Sequence, residues 1–277
     1  MTQFGNPKNK VMKTIVPSKL AICFAAVLIS FNSFAQSTQG LIFNNYQLQS
    51  GTNLALHSVY LFKNVATNVD ATVSIDSAIN GASVSKIDDN TGGVGYLNAF
   101  QPAINIPNGT GTSYVVFTIR FYVEGTNTPK TLNNVQDTAL DIDGNNQLKE
   151  FGEINMGGGT ATYQSGTLDI SVTPSGTKFM GKNILGIERS GIDTSALGNM
   201  FTVSDSNVSS LTIKYSAITN SATGVARQYS LYMKGFNYTS PLKVLPVKLV
   251  SFDATLNNKN KVDLKWTTAT EENVSHF

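Results

Sequence analysis

The strongest periodicity in the chain is one of two residues. Its clearest run is Val115 to Val123, where Val115, Phe117, Ile119, Phe121 and Val123 point one way. Val116, Thr118, Arg120, Tyr122 and Glu124 point the other. Side chains of a strand project alternately to its two faces, so the run predicts a half-buried antiparallel strand. Leu211, Ile213 and Tyr215 repeat the pattern against Thr212 and Lys214, and Tyr229, Leu231 and Met233 repeat it against Ser230, Tyr232 and Lys234. Shorter strands are predicted over Leu41–Gln47, Val59–Asn64, Val69–Ile75, Thr138–Ile142, Gln147–Ile154 and Leu168–Val172.

Turn chemistry separates these runs: Asn80-Gly81, Asn90 to Gly93, Pro107 to Gly111, Asp143-Gly144, Gly157 to Gly159 and Pro174 to Gly176. Short strands punctuated in this way predict an all-β fold, an antiparallel β-sandwich or jelly-roll-like domain. One helical turn is predicted around Thr194–Asn199. The long helices that a doubly wound nucleotide fold needs between its strands are not visible in the pattern.

Three segments follow. Residues 1–35 read as a Sec-type signal peptide: Lys8, Lys10, Lys13 and Lys19 precede the apolar stretch Leu20–Phe31, and Ser33-Phe34-Ala35 offers a cleavage site. Met12 is a more natural start than Met1. A lipoprotein leader is disfavoured because Cys23 precedes most of the apolar stretch. Residues 36–240 form the sandwich domain. A boundary falls near Pro241, where Pro241 and Pro246 are expected to interrupt pairing, and residues 241–277 carry a fresh pair of strands. In the first of these Val250, Phe252, Ala254 and Leu256 share a face; in the second Val262, Leu264 and Trp266 do.

Removal of the leader changes the charge. The 20 basic residues fall to 16 without the leader's four lysines, against 18 acidic ones, so a formal +2 becomes −2. The remaining cations are scattered singly, which excludes the dense basic surface that binding nucleic acid requires. The one cysteine, Cys23, leaves with the leader, so no disulfide supports the fold. His57 and His276 are the only imidazoles, which argues against a histidine metal centre, a cysteine nucleophile or a Cys-rich zinc site. No later segment reaches transmembrane length.

The tail LPVKLVSFDATLNNKNKVDLKWTTATEENVSHF carries a specific motif: Leu245-Pro-Val-Lys248, Phe252, then Val262, Leu264, Trp266 and the run Thr268 to Asn273. It resembles the opening of a fibronectin type III-like module common in secreted proteins of the Bacteroidetes. The resemblance covers about a tenth of the chain. It implies a surface or secreted cargo of the type IX secretion system, a fragment whose C-terminal sorting domain, through which it would meet the secretion machinery, is missing. It further implies O-glycosylation at Asp-(Ser/Thr)-apolar sites, here at Ser77 after Asp76 and at Thr138 after Asp137. Gly191 to Thr194 and Arg227 to Phe236 resemble a region that often precedes such a tail, with no activity attached.

Candidate chemistry gathers first in the acidic run from Asp137 to Glu153. A calcium ion needs several oxygens from one tight loop, and Asp141, Asp143, Asn145 and Glu150 are spaced to supply them, although the run is not an EF-hand. The competing expectation is a plain hairpin turning at Asp143-Gly144 or Gly144-Asn145 with its acids facing water. A glycosidase would need a facing carboxylate pair, and Glu124, Glu150, Glu153 and Glu188 offer no distinguished pair. A serine hydrolase lacks its motif and an imidazole in context. Tyr122 and Tyr232 point away from the expected core and are candidates for stacking on a glycan, against ordinary cross-strand tyrosine pairing. The pattern as a whole points to a secreted or cell-surface β-sandwich, adhesive, structural or binding, whose partner is an extracellular polymer or glycan and which has no catalytic activity. A carbohydrate-binding or carbohydrate-active module and a calcium-dependent binding domain are the alternatives.

Overall fold

The computed structural model describes residues 40–89, 98–166, 169–192, 194–222, 224–245, 249–256 and 261–268. The leader, Asn90 to Gly93, Tyr96 and the residues from Glu271 to Phe277 lie outside them. In chain order the strands are β1 (Tyr46–Ser50), β2 (Val59–Ala66), β3 (Val69–Ile79), β4 (Ser83–Lys86), β5 (Ala103–Ile106) and β6 (Gly109–Val123). There follow β7 (Val135–Leu140), β8 (Leu148–Asn155), β9 (Thr160–Gln164), β10 (Ile170–Ser175), β11 (Lys178–Asn183) and β12 (Phe201–Asp205). Last come β13 (Ser210–Ala222), β14 (Val225–Gln228), β15 (Ser230–Tyr232), β16 (Pro241–Val244), β17 (Leu249–Leu256) and β18 (Val262–Thr268). The expected helical turn is a short 3-10 turn at Leu197–Asn199.

The strands form an all-β sandwich of antiparallel sheets. The large sheet runs β1-β2-β3-β6-β13-β8-β11-β10, and a five-stranded sheet runs β15-β7-β12-β9-β16. A three-stranded sheet, β14-β5-β4, and the pair β17-β18 complete the fold. One core joins the two main sheets: Ile154, Phe179 and Ile213 of the large sheet share it with Ala139, Ala161, Phe201 and Val203 of the smaller. The contact is close enough to demand a glycine. A Cβ on Gly181 of β11 would stand 2.5 Å from the Phe201 ring of β12, so the absent side chain is the space the ring fills.

At the other end of the large sheet the core is aromatic. Val115, Phe117, Ile119 and Phe121 of β6 are fully buried. They lie beside Val69, Ala71, Val73 and Ile75 of β3, and Tyr60 and Phe62 of β2 complete the row. Phe43, Phe62, Phe100 and Phe117 pack in sequence, with ring centroids 5.0, 6.1 and 5.3 Å apart and planes tilted or near perpendicular, the geometry that ring quadrupoles favour. Because β2, β3 and β6 bury one row, their alternate residues must stand on the opposite face. That face carries the site described below.

Several boundaries differ from the sequence pattern. The stretch Leu41–Gln47 is irregular until Tyr46, where β1 starts. The run through Tyr229–Met233 holds only the three-residue strand β15, although Tyr229, Leu231 and Met233 are buried as expected. Val123 ends β6 exposed instead of joining the inward row. Pro241 does not end pairing; it opens β16, with Pro241 opposite Gln164. β16 is an edge strand, where the missing N–H of proline leaves no gap inside the sheet.

Beyond it, β17 and β18 pair antiparallel as expected, with Phe252 opposite Trp266, Ala254 opposite Leu264 and Leu256 opposite Val262. Opposed residues share a face, so these six form one apolar ladder, and its five large members are exposed.

The Gly181–Phe201 contact gives a direct test of the sandwich. Gly181→Val should cost about 1–3 kcal/mol through overpacking, read as a lower urea midpoint. Phe201→Leu added to it should recover part of the loss, because the two positions share one space. Independent, additive losses would contradict the face-to-face packing.

Candidate functional site

Two constellations stand out, one open to solvent and one buried. The open one lies on the outer face of β2, β3 and β6. Register sets its floor: Leu61 of β2 is opposite Thr72 of β3, Thr72 is opposite Arg120 of β6, and Asp70 of β3 is opposite Tyr122 of β6. Val59 and Lys63 extend the floor on β2, Gln49 and Ser50 of β1 close one side, and Gly125, Thr126 and Asn127 form the other wall. Together they enclose a groove of about 610 Å³. The sequence pattern placed Arg120 and Tyr122 outward. Their neighbours depend on a strand order that brings β3 against β6 past β4 and β5.

Asp70 fixes one wall to the floor. It is buried, and its Oδ1 accepts the Asn64 N–H at 2.8 Å while Oδ2 accepts the Gly125 N–H at 2.9 Å. Asn64 and Gly125 both have left-handed backbone, with φ of 55° and 70°, so a carboxylate between them ties the irregular stretch of β2 after Phe62 to the turn after β6. The Thr126 hydroxyl donates to the Val123 carbonyl and accepts from the Thr128 N–H. That wall is thus held by the protein's own bonds. Tyr122 is half-buried in the groove, and Arg120 and Lys63 are exposed.

Tyr232 is elsewhere. It lies half-buried on β15, its ring edge-on to Phe236 at 5.9 Å. The two tyrosines singled out from sequence do not form one platform; only Tyr122 lines the groove.

The buried constellation is built from the acidic run. Asp143, on the approach to β8, and Glu150, within it, turn inward and are almost wholly buried, so these acids of the hairpin do not face water. They meet Arg227 of β14. Its Nη2 donates to Asp143 Oδ1 at 2.6 Å, Nε to Glu150 Oε1 at 2.5 Å and Nη1 to Glu188 Oε1 at 2.7 Å. Asn145 donates to Glu188 Oε2 at 2.7 Å, and the Arg189 N–H donates to Asp143 Oδ2 at 2.6 Å. Asp141 accepts instead from the Asn199 amide at 3.0 Å. Of the four residues expected to hold calcium, Asp143 and Glu150 therefore converge on a guanidinium, Asn145 orients the third acid, and Asp141 is bonded to Asn199. Among the described residues no group of three or more His, Cys, Asp or Glu side chains is placed to hold a metal ion.

The electrostatics follow from burial. Burial pushes the Glu150 carboxyl up to about 8, against the pull of Arg227. It raises Asp143 too, opposed by the Arg189 N–H and by Arg227. Glu188 is held below the usual range by hydrogen bonds from Asn145 and Arg227. Burial works against the Arg227 charge, but Glu150, Glu188 and Asp143 hold its pKa above the ordinary value. A guanidinium fork matched to several carboxylates is a device of cohesion, and it ties β14 to β8 and to the loop of Glu188.

Asp137 and Thr138 are corrected by burial. Asp137 is fully buried on β7, neither of its oxygens has a hydrogen-bond partner among the described residues, and burial raises its pKa well above the usual range. Burial disfavours its charged form. The Thr138 hydroxyl is shared with Thr202 at 2.7 Å and reaches the Lys234 carbonyl at 2.7 Å. A fully buried, bonded hydroxyl is closed to glycosylation in the folded chain. Ser77 is half-buried on β3 beside a register shift and keeps access to solvent.

No protein-family model matches the chain, and no curated protein does. Among solved structures it is similar to the N-terminal domain of the Streptococcus gordonii adhesin Sgo0707, at 13% identity and a TM-score of 0.45. That alignment covers 72% of this chain and 62% of the other. It is also similar to the glucan binding protein C of Streptococcus mutans, at 11% identity and a TM-score of 0.42, over 65% of this chain and 59% of that one. The chain spans less than two thirds of the length of either neighbour.

Two outcomes test the buried network. Arg227→Met should destabilise by about 3–5 kcal/mol, the cost of stranding buried acids, and Arg227→Lys should recover little because an ammonium cannot reproduce the fork. Chemical denaturation measures both. Glu150 titrates from about 4.5 unfolded to about 8 folded, so the folded state keeps a proton that the unfolded state releases. Its contribution to stability is full below the lower value and lost as pH rises through the upper one. Glu150→Gln should flatten that decline in a pH series of unfolding free energies; an unchanged slope would show that Glu150 is not its source.

Proposed function

We propose that the chain is an exported, adhesive binding protein without catalytic activity, whose groove on the large sheet takes a glycan. The single observation that carries this is the composition of the groove. Tyr122, Val59 and Leu61 give ring and aliphatic surface for the C–H faces of a sugar. Gln49, Thr72, Thr126, Asn127 and the charged side chains give hydrogen bonds for its hydroxyls. Its volume lies within the roughly 300–1,000 Å³ of small-ligand sites, and the wall that Asp70 pins needs little reordering on binding.

A binding role fits this groove better than hydrolysis. Glycoside cleavage uses two carboxylates flanking the bond, whereas Asp70 is the only carboxylate among the lining residues and is bonded to two backbone amides. Export to the surface is what the resemblance of the tail implies, and it would bring the groove to extracellular polymers.

A glycan array followed by calorimetry tests it. Binding to at least one oligosaccharide is expected, and Tyr122→Ala should weaken it roughly tenfold without lowering thermal stability by a comparable measure. An array without binders, or a ligand indifferent to Tyr122, would refute the reading.

A further inference from the structure

The hydrogen-bonding groups of the groove are unbalanced, and the imbalance bears on the charge of its ligand. Asp70 is turned to the Asn64 and Gly125 amides. Asp76, further along β3, accepts from the Ser74 hydroxyl at 2.6 Å and from the Thr118 hydroxyl. Both carboxylates are thus supplied by protein donors. The cations are not supplied with acceptors. Among the described residues the Lys63 ammonium has no partner, and the Arg120 side chain makes one long contact, Nη1 to Ser74 Oγ at 3.4 Å. Most of the N–H donors of both face the groove unspent.

A neutral sugar brings donors as well as acceptors and leaves such an excess partly unmet. A carboxylate or sulfate ester brings only acceptors, and a guanidinium meets either through paired N–H···O bonds. Arg120 and Tyr122 are next neighbours on the same face of β6, about 7 Å apart, so one sugar ring can touch both. Lys63 lies on β2, two strand spacings or about 10 Å away, where the next unit of a chain crossing the strands would lie.

We infer that the groove selects anionic glycans, with Arg120 pairing a carboxylate or sulfate on the sugar stacked at Tyr122 and Lys63 meeting a second anionic group across the floor. This rests on the glycan reading of the same groove.

The test titrates the whole chain by calorimetry with tetragalacturonate, a sulfated tetrasaccharide and maltotetraose, at low and at physiological salt. At least one anionic ligand should bind roughly tenfold tighter than maltotetraose, and the two anionic arms separate carboxylate from sulfate. The advantage should shrink as salt rises, because exposed charges are screened. Arg120→Gln should abolish the advantage by weakening the anionic ligand at least tenfold more than maltotetraose, and Lys63→Gln should reduce it. Both side chains are exposed, and matching circular dichroism spectra would show that the variants fold. Equal affinity for neutral and anionic ligands, or an advantage that survives Arg120→Gln, overturns the inference and leaves the glycan reading standing. Failure to bind any of these ligands or any glycan on an array overturns both.

Discussion

The groove depends on a register held from behind. β6 is paired on both sides, with Ile119 opposite Val73 of β3 and Leu211 of β13, and its inward row is fully buried among aromatic neighbours. A slip of one residue would send Arg120 and Tyr122 into that core and expose Phe121. The apolar row therefore fixes, at no further cost, which polar residues stand together outside. Core and surface chemistry are two faces of the same alternation.

Arg120 and Arg227 show what separates a charge that holds a structure from one that is offered to a ligand. Arg227 spends its fork on three acids and sits behind them, so its donors are unavailable to anything outside. Arg120 stands in solvent with a single weak contact. The acids divide in the same way: Asp70 serves the loops around the groove and Glu150 the joint between β8 and β14. The two constellations share one large sheet and use opposite degrees of hydrogen-bond satisfaction.

What was legible in the sequence followed from periodicity. β3, β6 and β13 could be read because their inward rows are apolar at every second place. β11 could not, because its inward residues are Phe179, Gly181 and Asn183; the glycine makes way for Phe201, and the asparagine bonds to loops. The acidic run was visible as a cluster, but its partner lies 77 to 84 residues further along, and a lone arginine in a short strand gives no local signal. Expecting those acids in water was the natural consequence of seeing only one side of the contact. Tyr122 and Arg120 were found as an outward pair, whereas Lys63 and Asp70 join them only through the order of strands.

The β17–β18 pair has a practical consequence for anyone who follows the folding of this protein by light. Trp266 is the only tryptophan in the chain, it sits on that exposed ladder, and the sandwich core contains none. Indole emission therefore reports on the hairpin. The state of the sandwich is carried by its tyrosines, of which Tyr60, Tyr215 and Tyr229 are buried. A melt recorded at tryptophan wavelengths would follow those two strands and not the two main sheets.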